Sequence, residues 1–272
     1  MRKIVLLLVL CTTTSLFAQE KVKGNREPST VITDVDPFNI IDISGDYEVA
    51  IVEAVAPQVE ITTDSNLHEY LNISVIEGRL SITSDVKIRS KKEMTIRVMY
   101  PVGLEKVIAS EKAEISSITA LKFEQIELEA QDDAKLFITA AVDNLKLTLK
   151  GNSKSELNLT GTNAEVTIAD KASVKSLFTY TDITLTMEGR TDAKIEGDIN
   201  KGFLSLENKA DFKGDNLVFN NLNLNVSQNV TASVNVKDTL KISAEDETKV
   251  EVSNTPQITL EKFTGKTQLI KK

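Results

Sequence analysis

Tryptophan is absent from this 272-residue chain, cysteine and histidine occur once each, and aromatics amount to only 5%. A lone thiol closes no disulfide within the chain and provides no thiolate cluster for zinc. One imidazole cannot build a multi-histidine metal site, and the paired-glycine nonapeptides that bind calcium are missing. The shortage of rings also speaks against an enzyme cleft that encloses a sugar, since sugar faces stack on such rings. Proline (5) and glycine (11) are scarce too, so the chain is neither collagenous nor low-complexity. Its net charge is −8, and no basic stripe interleaved with aromatics offsets that sign, which argues against nucleic acid. The one long apolar run, Ile4-Val5-Leu6-Leu7-Leu8-Val9-Leu10, is too short to span a bilayer as a stable helix.

What the chain has in abundance is one short phrase, repeated about every 19 residues from Val107 onward. It reads apolar, any, apolar, three polar-leaning residues, then a small or β-branched residue. Val107 to Ala113, Leu128 to Ala134, Leu147 to Ser153, Val166 to Ala172, Leu185 to Thr191, Leu204 to Ala210 and Leu224 to Val230 all fit it. Two later copies put the seventh residue at Thr248 and Thr264, the last after a shortened interval of 16 residues. Such a period with strand alternation predicts stacked coils, because each coil carries too few apolar residues to bury alone and stacking joins them into one core. Nine phrases stacked about 4.8 Å apart would make a rod of roughly 38 Å. Leucine-rich repeats share the period but need an Asn or Cys ladder and a helical return, neither of which recurs. The expected fold is therefore all-β, a parallel β-helix-like solenoid, with corners at Lys150-Gly151-Asn152, Gly189-Arg190 and Asp215-Asn216.

The N-terminus has the form of a secretory signal: Arg2 and Lys3, the apolar run, then Thr12 to Ser15 and the small residue Ala18. Cleavage after Ala18 gives a signal at 1–18 and a mature chain without cysteine. The alternative is a lipoprotein anchored through Cys11, although Leu10 stands where lipidation favours Gly, Ala or Ser. Residues 19–30 are expected as a flexible linker, followed by one domain at 31–272, divided into an N-terminal β region (31–105) and the repeat coils (106–272). In the first part, Ile40 to Ile51 predicts two strands around Gly45-Asp46, and Asn72 to Ile82 predicts a hairpin. Asp64 to Tyr70 predicts one helical turn capped by Asp64 or Ser65, and Thr95 to Tyr100 a strand stopped by Pro101. This antiparallel region would cap the open end of the rod.

Phe38-Asn39-Ile40-Ile41-Asp42-Ile43-Ser44-Gly45-Asp46-Tyr47-Glu48-Val49 resembles the opening of a secreted bacterial family, domain of unknown function 2807 (DUF2807), the head GIN domain of auto-transporter adhesins. The resemblance continues in Val59 to Leu67, in Glu77 to Ile82, and in Tyr100-Pro101 with Leu104 to Val107, and it covers roughly residues 31 to 272. It implies a right-handed β-helix, a signal peptide and no established catalytic residue. The chain departs from the Ser-Gly corners of many members by carrying Glu111-Lys112, Asp132-Asp133 and Asp170-Lys171. A full autotransporter would also carry a membrane barrel, and no such run of alternating strands follows the last coil here, so periplasmic residence or export to the cell surface by other machinery is expected.

Three groups could carry catalysis. Asp132-Asp133 and Glu245-Asp246-Glu247 are the densest acids, but neighbours on a strand point to opposite faces, so neither group converges on a scissile bond. The single His68 lies in the predicted helical turn beside Glu69, with no partner pair to make it a general base. No catalytic, cofactor-binding or metal-ligating residue is assigned. The expected function is a secreted, non-catalytic binding module of the cell envelope with an unidentified glycan or protein ligand. The alternatives are a self-associating structural protein, including a homo-oligomer, and a polysaccharide-active enzyme. The polar rows Thr181 to Thr186 and Asn220 to Asn225 are the stretches expected to face a ligand if they are more than the outward positions of half-buried strands.

Overall fold

A computed structural model describes residues 21–272, so the signal at 1–18 and Cys11 lie outside the described residues. The alternating phrase folds as expected. Long strands at Lys135–Leu149, Lys154–Asp170, Ser173–Gly189, Asp192–Glu207, Asp211–Ser227 and Thr231–Glu245 each pair in parallel with the next. They form a β-solenoid of about nine turns with rungs of about 19 residues. Like residues stack: Leu147, Val166, Leu185, Leu204, Leu224 and Ile242 are in register, and all are buried.

Each rung turns in two ways. In Lys154–Asp170, Ser155, Leu157 and Leu159 point inward, as do Ala164, Val166 and Ile168, and the alternation slips phase at Gly161 to Asn163. That slip is an open bend. The other turn is tight and uses positive φ in each rung: Glu111, Asp132, Gly151, Asp170, Gly189, Asn208, Gln228, Asp246 and Gly265 stack in this role, with Lys209 and Asn229 as a second such residue in their two rungs. A left-handed residue reverses the chain over a short arc, and Asp or Asn tolerates it because a short polar side chain can bond nearby backbone. Asp132 Oδ2 accepts the Glu111 N–H at 3.2 Å, and Asp170 Oδ2 accepts the Gly151 N–H at 3.0 Å, each reaching back one rung. The seventh residue of the phrase sits inside this turn, where only small or β-branched side chains such as Ala113, Ala134, Ser153, Ala172 and Thr191 are buried.

The structure differs from expectation at three places in the repeat. Asp215-Asn216 is no corner: it lies within Asp211–Ser227, where the register with both neighbouring strands shifts at a bulge. The final phrase is displaced. Ile258 pairs with Leu240, Leu260 with Ile242 and Lys262 with Ser243, so Glu261 is an extra residue that the 16-residue interval concealed. The residue stacked on Thr248 is Thr267, 19 positions on, joined through its hydroxyl at 3.2 Å. The third difference is that the coils begin earlier than Val107. Ile40–Gly45 and Glu48–Glu53 are not a hairpin; they pair in parallel with Lys106–Glu111 and Glu114–Ser117 and form a rung of their own. Beyond them stack Arg79–Ser84 and Met94–Tyr100.

The remaining N-terminal strands cap that end. Leu71–Ile76 runs antiparallel to Arg79–Ser84 through Glu77-Gly78, as the predicted hairpin does, and Gln58–Asp64 runs antiparallel between Met94–Tyr100 and Pro28–Asp34. Lys21–Lys23 and Pro28–Asp34, within and beside the stretch expected as a linker, are strands. Ser65–Tyr70 is a 3₁₀ helix, but Asp64 does not cap it. The buried Asp64 carboxylate instead accepts the N–H groups of Arg26 (3.2 Å) and Lys92 (3.2 Å), tying the N-terminal segment to the Asp85 to Glu93 excursion. At the other end no described residue stacks on the last rung, and Ile258, Leu260 and Phe263 are exposed where earlier rungs bury their counterparts.

Candidate ligand groove

The open bend creates a groove along the solenoid because the phase slip lets outward side chains splay. Its inner row is Gln125, Asn144, Asn163 and Asp182, which stack in register rung upon rung. The outer row is Glu127, Lys146, Glu165 and Thr184, and the groove encloses about 630 Å³. Asn163 donates through Nδ2 to Asn144 Oδ1 at 3.0 Å, so the inner row is an amide ladder. Charges in the outer row are largely committed: Lys106 Nζ lies 3.3 Å from Glu127 and 3.1 Å from Glu129, and Lys146 Nζ lies 3.0 Å from Glu127. Partial burial opposes ionisation of Glu127, but the hydrogen bonds and charges of Lys146 and Lys106 outweigh it and hold the carboxyl below the usual range. Burial likewise opposes the charge on Lys106, and Glu129 and Glu127 overcome it, raising its pKa.

A second concavity of about 820 Å³ lies where the Asp85 to Glu93 excursion overhangs the tight turns. Asp132 and Asp133 line it, with Glu111, Asp46, Lys87, Lys91 and Lys112. These acids serve the turn: Asp132 accepts the Glu111 N–H, and Asp133 Oδ1 accepts Asn152 Nδ2 at 3.2 Å. Glu245-Asp246-Glu247 is on the same turn edge, six rungs or about 29 Å away. There Asp246 is the positive-φ residue, while Glu245 pairs with Lys262 at 2.5 Å and Glu247 with Lys266 at 2.6 Å. The two acid groups therefore do not meet. His68 Nε2 lies 3.0 Å from both Ser29 Oγ and Ser29 O, half-buried beneath the cap strand Pro28–Asp34.

The polar rows Thr181 to Thr186 and Asn220 to Asn225 hold the outward positions of half-buried strands. Thr184 and Thr186 alternate with buried Ile183, Leu185 and Met187, and Asn221, Asn223 and Asn225 alternate with buried Leu222, Leu224 and Val226. The rung between them carries Phe203, 40% exposed, in register with Thr184 on one side and Asn223 on the other. Thr184 also lines the groove, so the groove opens directly onto this ring. Sequence reasoning missed Phe203 and the Gln125-Asn144-Asn163 ladder, though a polar side chain recurring at 19-residue steps was there to be read.

The family profile described as "Putative auto-transporter adhesin, head GIN domain" matches residues 37–177 and 154–256. Among solved structures, the fold is similar to a protein described as a putative adhesin from Parabacteroides merdae ATCC 43184 (TM-score 0.68, 19% identity, covering 93% of this chain and 99% of that one). It is also similar to a putative adhesin from Parabacteroides distasonis ATCC 8503 (TM-score 0.66, 20% identity, 93% and 98% covered). A third similar structure, from the same organism, is described as a putative lipid binding protein (TM-score 0.64, 14% identity, 93% and 99% covered). At these identities the likeness is one of fold. No curated protein matches the sequence.

Proposed function

Because the chain belongs to the family of auto-transporter adhesin head GIN domains, we propose that it is an exported, non-catalytic binding module of the bacterial cell envelope whose ligand lies along the amide-lined groove. The observation that carries this reading is the groove itself. Its inner row is a ladder of stacked amides on rigid strands over the apolar residues Ile126, Leu145 and Ala164, and Glu127 in its outer row is held in ion pairs with Lys106 and Lys146. A surface that presents polar side chains in register at every rung suits an extended partner better than a compact substrate. Export rests on the residues ahead of the fold: Arg2, Lys3, the apolar run and Ala18.

The test is retention of the chain from residue 19 onward on immobilised glycans, extracellular-matrix proteins and lipid vesicles, with released sugar fragments assayed in the same wells. Saturable, competable retention without fragments supports the binding module, and fragments would replace it with a polysaccharide-active enzyme. Cell fractionation of the full chain, with N-terminal sequencing for a start at Gln19 and mass analysis for lipid at Cys11, tests export. One observation favours a second reading, self-association: among the described residues, Ile258, Leu260 and Phe263 leave apolar surface and unpaired strand edge on the last rung. Sedimentation of the same preparation distinguishes it.

A further inference from the structure

We infer that the ligand is an uncharged glycan strand, which stacks on Phe203 and bonds the hydroxyls and amides around that ring; this rests on the binding-module reading above. Phe203 is an outward residue on a straight β-face, and among the described residues it makes no ring pair. Among the described residues three phenylalanines are exposed, Phe137, Phe203 and Phe263, and Phe203 is the one that stands in register between Thr184 and Asn223. Thr184 and Asn223 flank it along the solenoid axis, and the adjacent column reads Thr186, Ser205 and Asn225. An apolar ring face bordered by five short hydrogen-bonding side chains matches a sugar ring, whose C–H face is apolar and whose rim is hydroxyl.

The second observation is that these polar groups are unspent. Elsewhere along the open bend, outward side chains bond the next rung: Asn163 to Asn144 at 3.0 Å, Asn220 to Asn200 at 3.0 Å, Thr239 to Asn221 at 2.6 Å. Among the described residues, the side chains of Thr184, Thr186, Ser205, Asn223 and Asn225 make no hydrogen bond. Phe203 is the reason for its own column, since it stands between Thr184 and Asn223 and offers neither a donor nor an acceptor. Rungs rise about 4.8 Å apart, so polar groups recur along the axis at a spacing comparable with a sugar ring.

Charge selects the kind of glycan. The groove leading to Phe203 is lined by four acids (Glu105, Glu127, Glu165 and Asp182) and one lysine, Lys146, an excess of negative charge that disfavours sulfated or uronic polymers and is part of the chain's net charge of −8.

The experiment compares retention of the residue 19 to 272 chain on immobilised neutral glucan, mannan and galactan with retention on a sulfated glycan, matrix protein and phosphatidylcholine vesicles. Retention is expected on a neutral polysaccharide, with Phe203→Ala weakening it about tenfold. Phe137→Ala, which removes another exposed ring, should leave it unchanged. Phe203→Trp should preserve binding and, in a chain without tryptophan, supply a single reporter whose emission shifts as the soluble polysaccharide is added. Neutral-glycan retention that ignores Phe203→Ala overturns the platform and leaves the binding module standing. Retention only on matrix protein, vesicles or the sulfated glycan overturns the ligand class, and no retention on any surface overturns both readings.

Discussion

A Cβ on Gly202 would lie 2.5 Å from Cε1 and 2.7 Å from Cδ1 of Phe219, the fully buried ring of the following rung. The core thus fills by pairing a missing side chain in one rung with a ring from the next. Gly202→Ala is therefore expected to overpack this site and cost about 1–3 kcal/mol. Pairing it with Phe219→Leu should recover part of that loss, because the two positions share one volume. Urea midpoints for the two single variants and the double variant measure the coupling, and strict additivity would sink the argument.

The tight turns supply a prediction of opposite sign. Glu111 has a φ of 57°, a conformation that costs a side chain with Cβ roughly 1–2 kcal/mol, and its carboxylate accepts no hydrogen bond among the described residues. Its backbone N–H is what the turn uses, donated to Asp132. Glu111→Gly keeps that bond and should stabilise the protein by about 0.5–1 kcal/mol, the greater freedom of glycine in the unfolded chain offsetting part of the gain. Asp132→Gly should do the reverse, since it relieves the same conformation but removes the acceptor. Equal shifts in thermal midpoint for both variants would contradict this division of roles.

The solenoid was legible from Val107 onward because each rung there follows its neighbour in the chain, so stacking in space appears as a period in sequence. The rung at Ile40 to Glu53 escaped notice for a topological reason. It is sandwiched between Lys106–Ser117 on one side and Arg79–Tyr100 on the other, so order in space is not order along the chain. Its phrase is also disguised, with Gly45 as the turn residue and Tyr47 where later rungs keep Ala, Ser, Thr or Val. The groove was half visible. Its amide row recurs at 19-residue steps, and the Thr and Asn rows were identified, but Phe203 joins them only once parallel register sets rungs 184, 203 and 223 side by side.

Inside the turn, Ser153 is fully buried and its hydroxyl has no hydrogen-bond partner. The equivalent positions in the adjacent rungs are Ala134 and Ala172. An unpartnered buried hydroxyl costs about 1–3 kcal/mol in lost hydration, so Ser153→Ala, which fits a stack of alanines, should raise stability by about 1 kcal/mol. Thr248 is the counterexample in the same column: its hydroxyl bonds Thr267, and Thr248→Val should loosen the last rung. Chemical denaturation of both variants checks the pair, and a destabilised Ser153→Ala would mean that the hydroxyl has a partner in solution.

The last rung should also respond to acid. Lys249 and Lys272 lie 2.5 Å and 2.7 Å from Glu251, and Ser233 Oγ donates to the same carboxylate at 3.1 Å. The lysine hydrogen bonds hold its pKa at about 2, against the opposing effect of burial. In the unfolded chain a glutamate titrates near 4.3, so between those values the unfolded form binds the extra proton and stability rises with pH. The contribution is present in full above about pH 4.3 and is lost as the pH falls through about 2. Lys249 and Glu251 sit on Lys249–Ser253, which pairs with Gln268–Lys271, and Lys272 directly follows the latter strand, so loss of the cluster should first free Gln268–Lys271. Amide exchange of that strand is expected to quicken between about pH 4 and pH 2 after correction for intrinsic rates, while the Lys154–Asp170 rung stays protected. Glu251→Gln should remove the pH-dependent step and leave the strand partly loosened at every pH. A step that survives the substitution would assign the acid response to a different carboxylate.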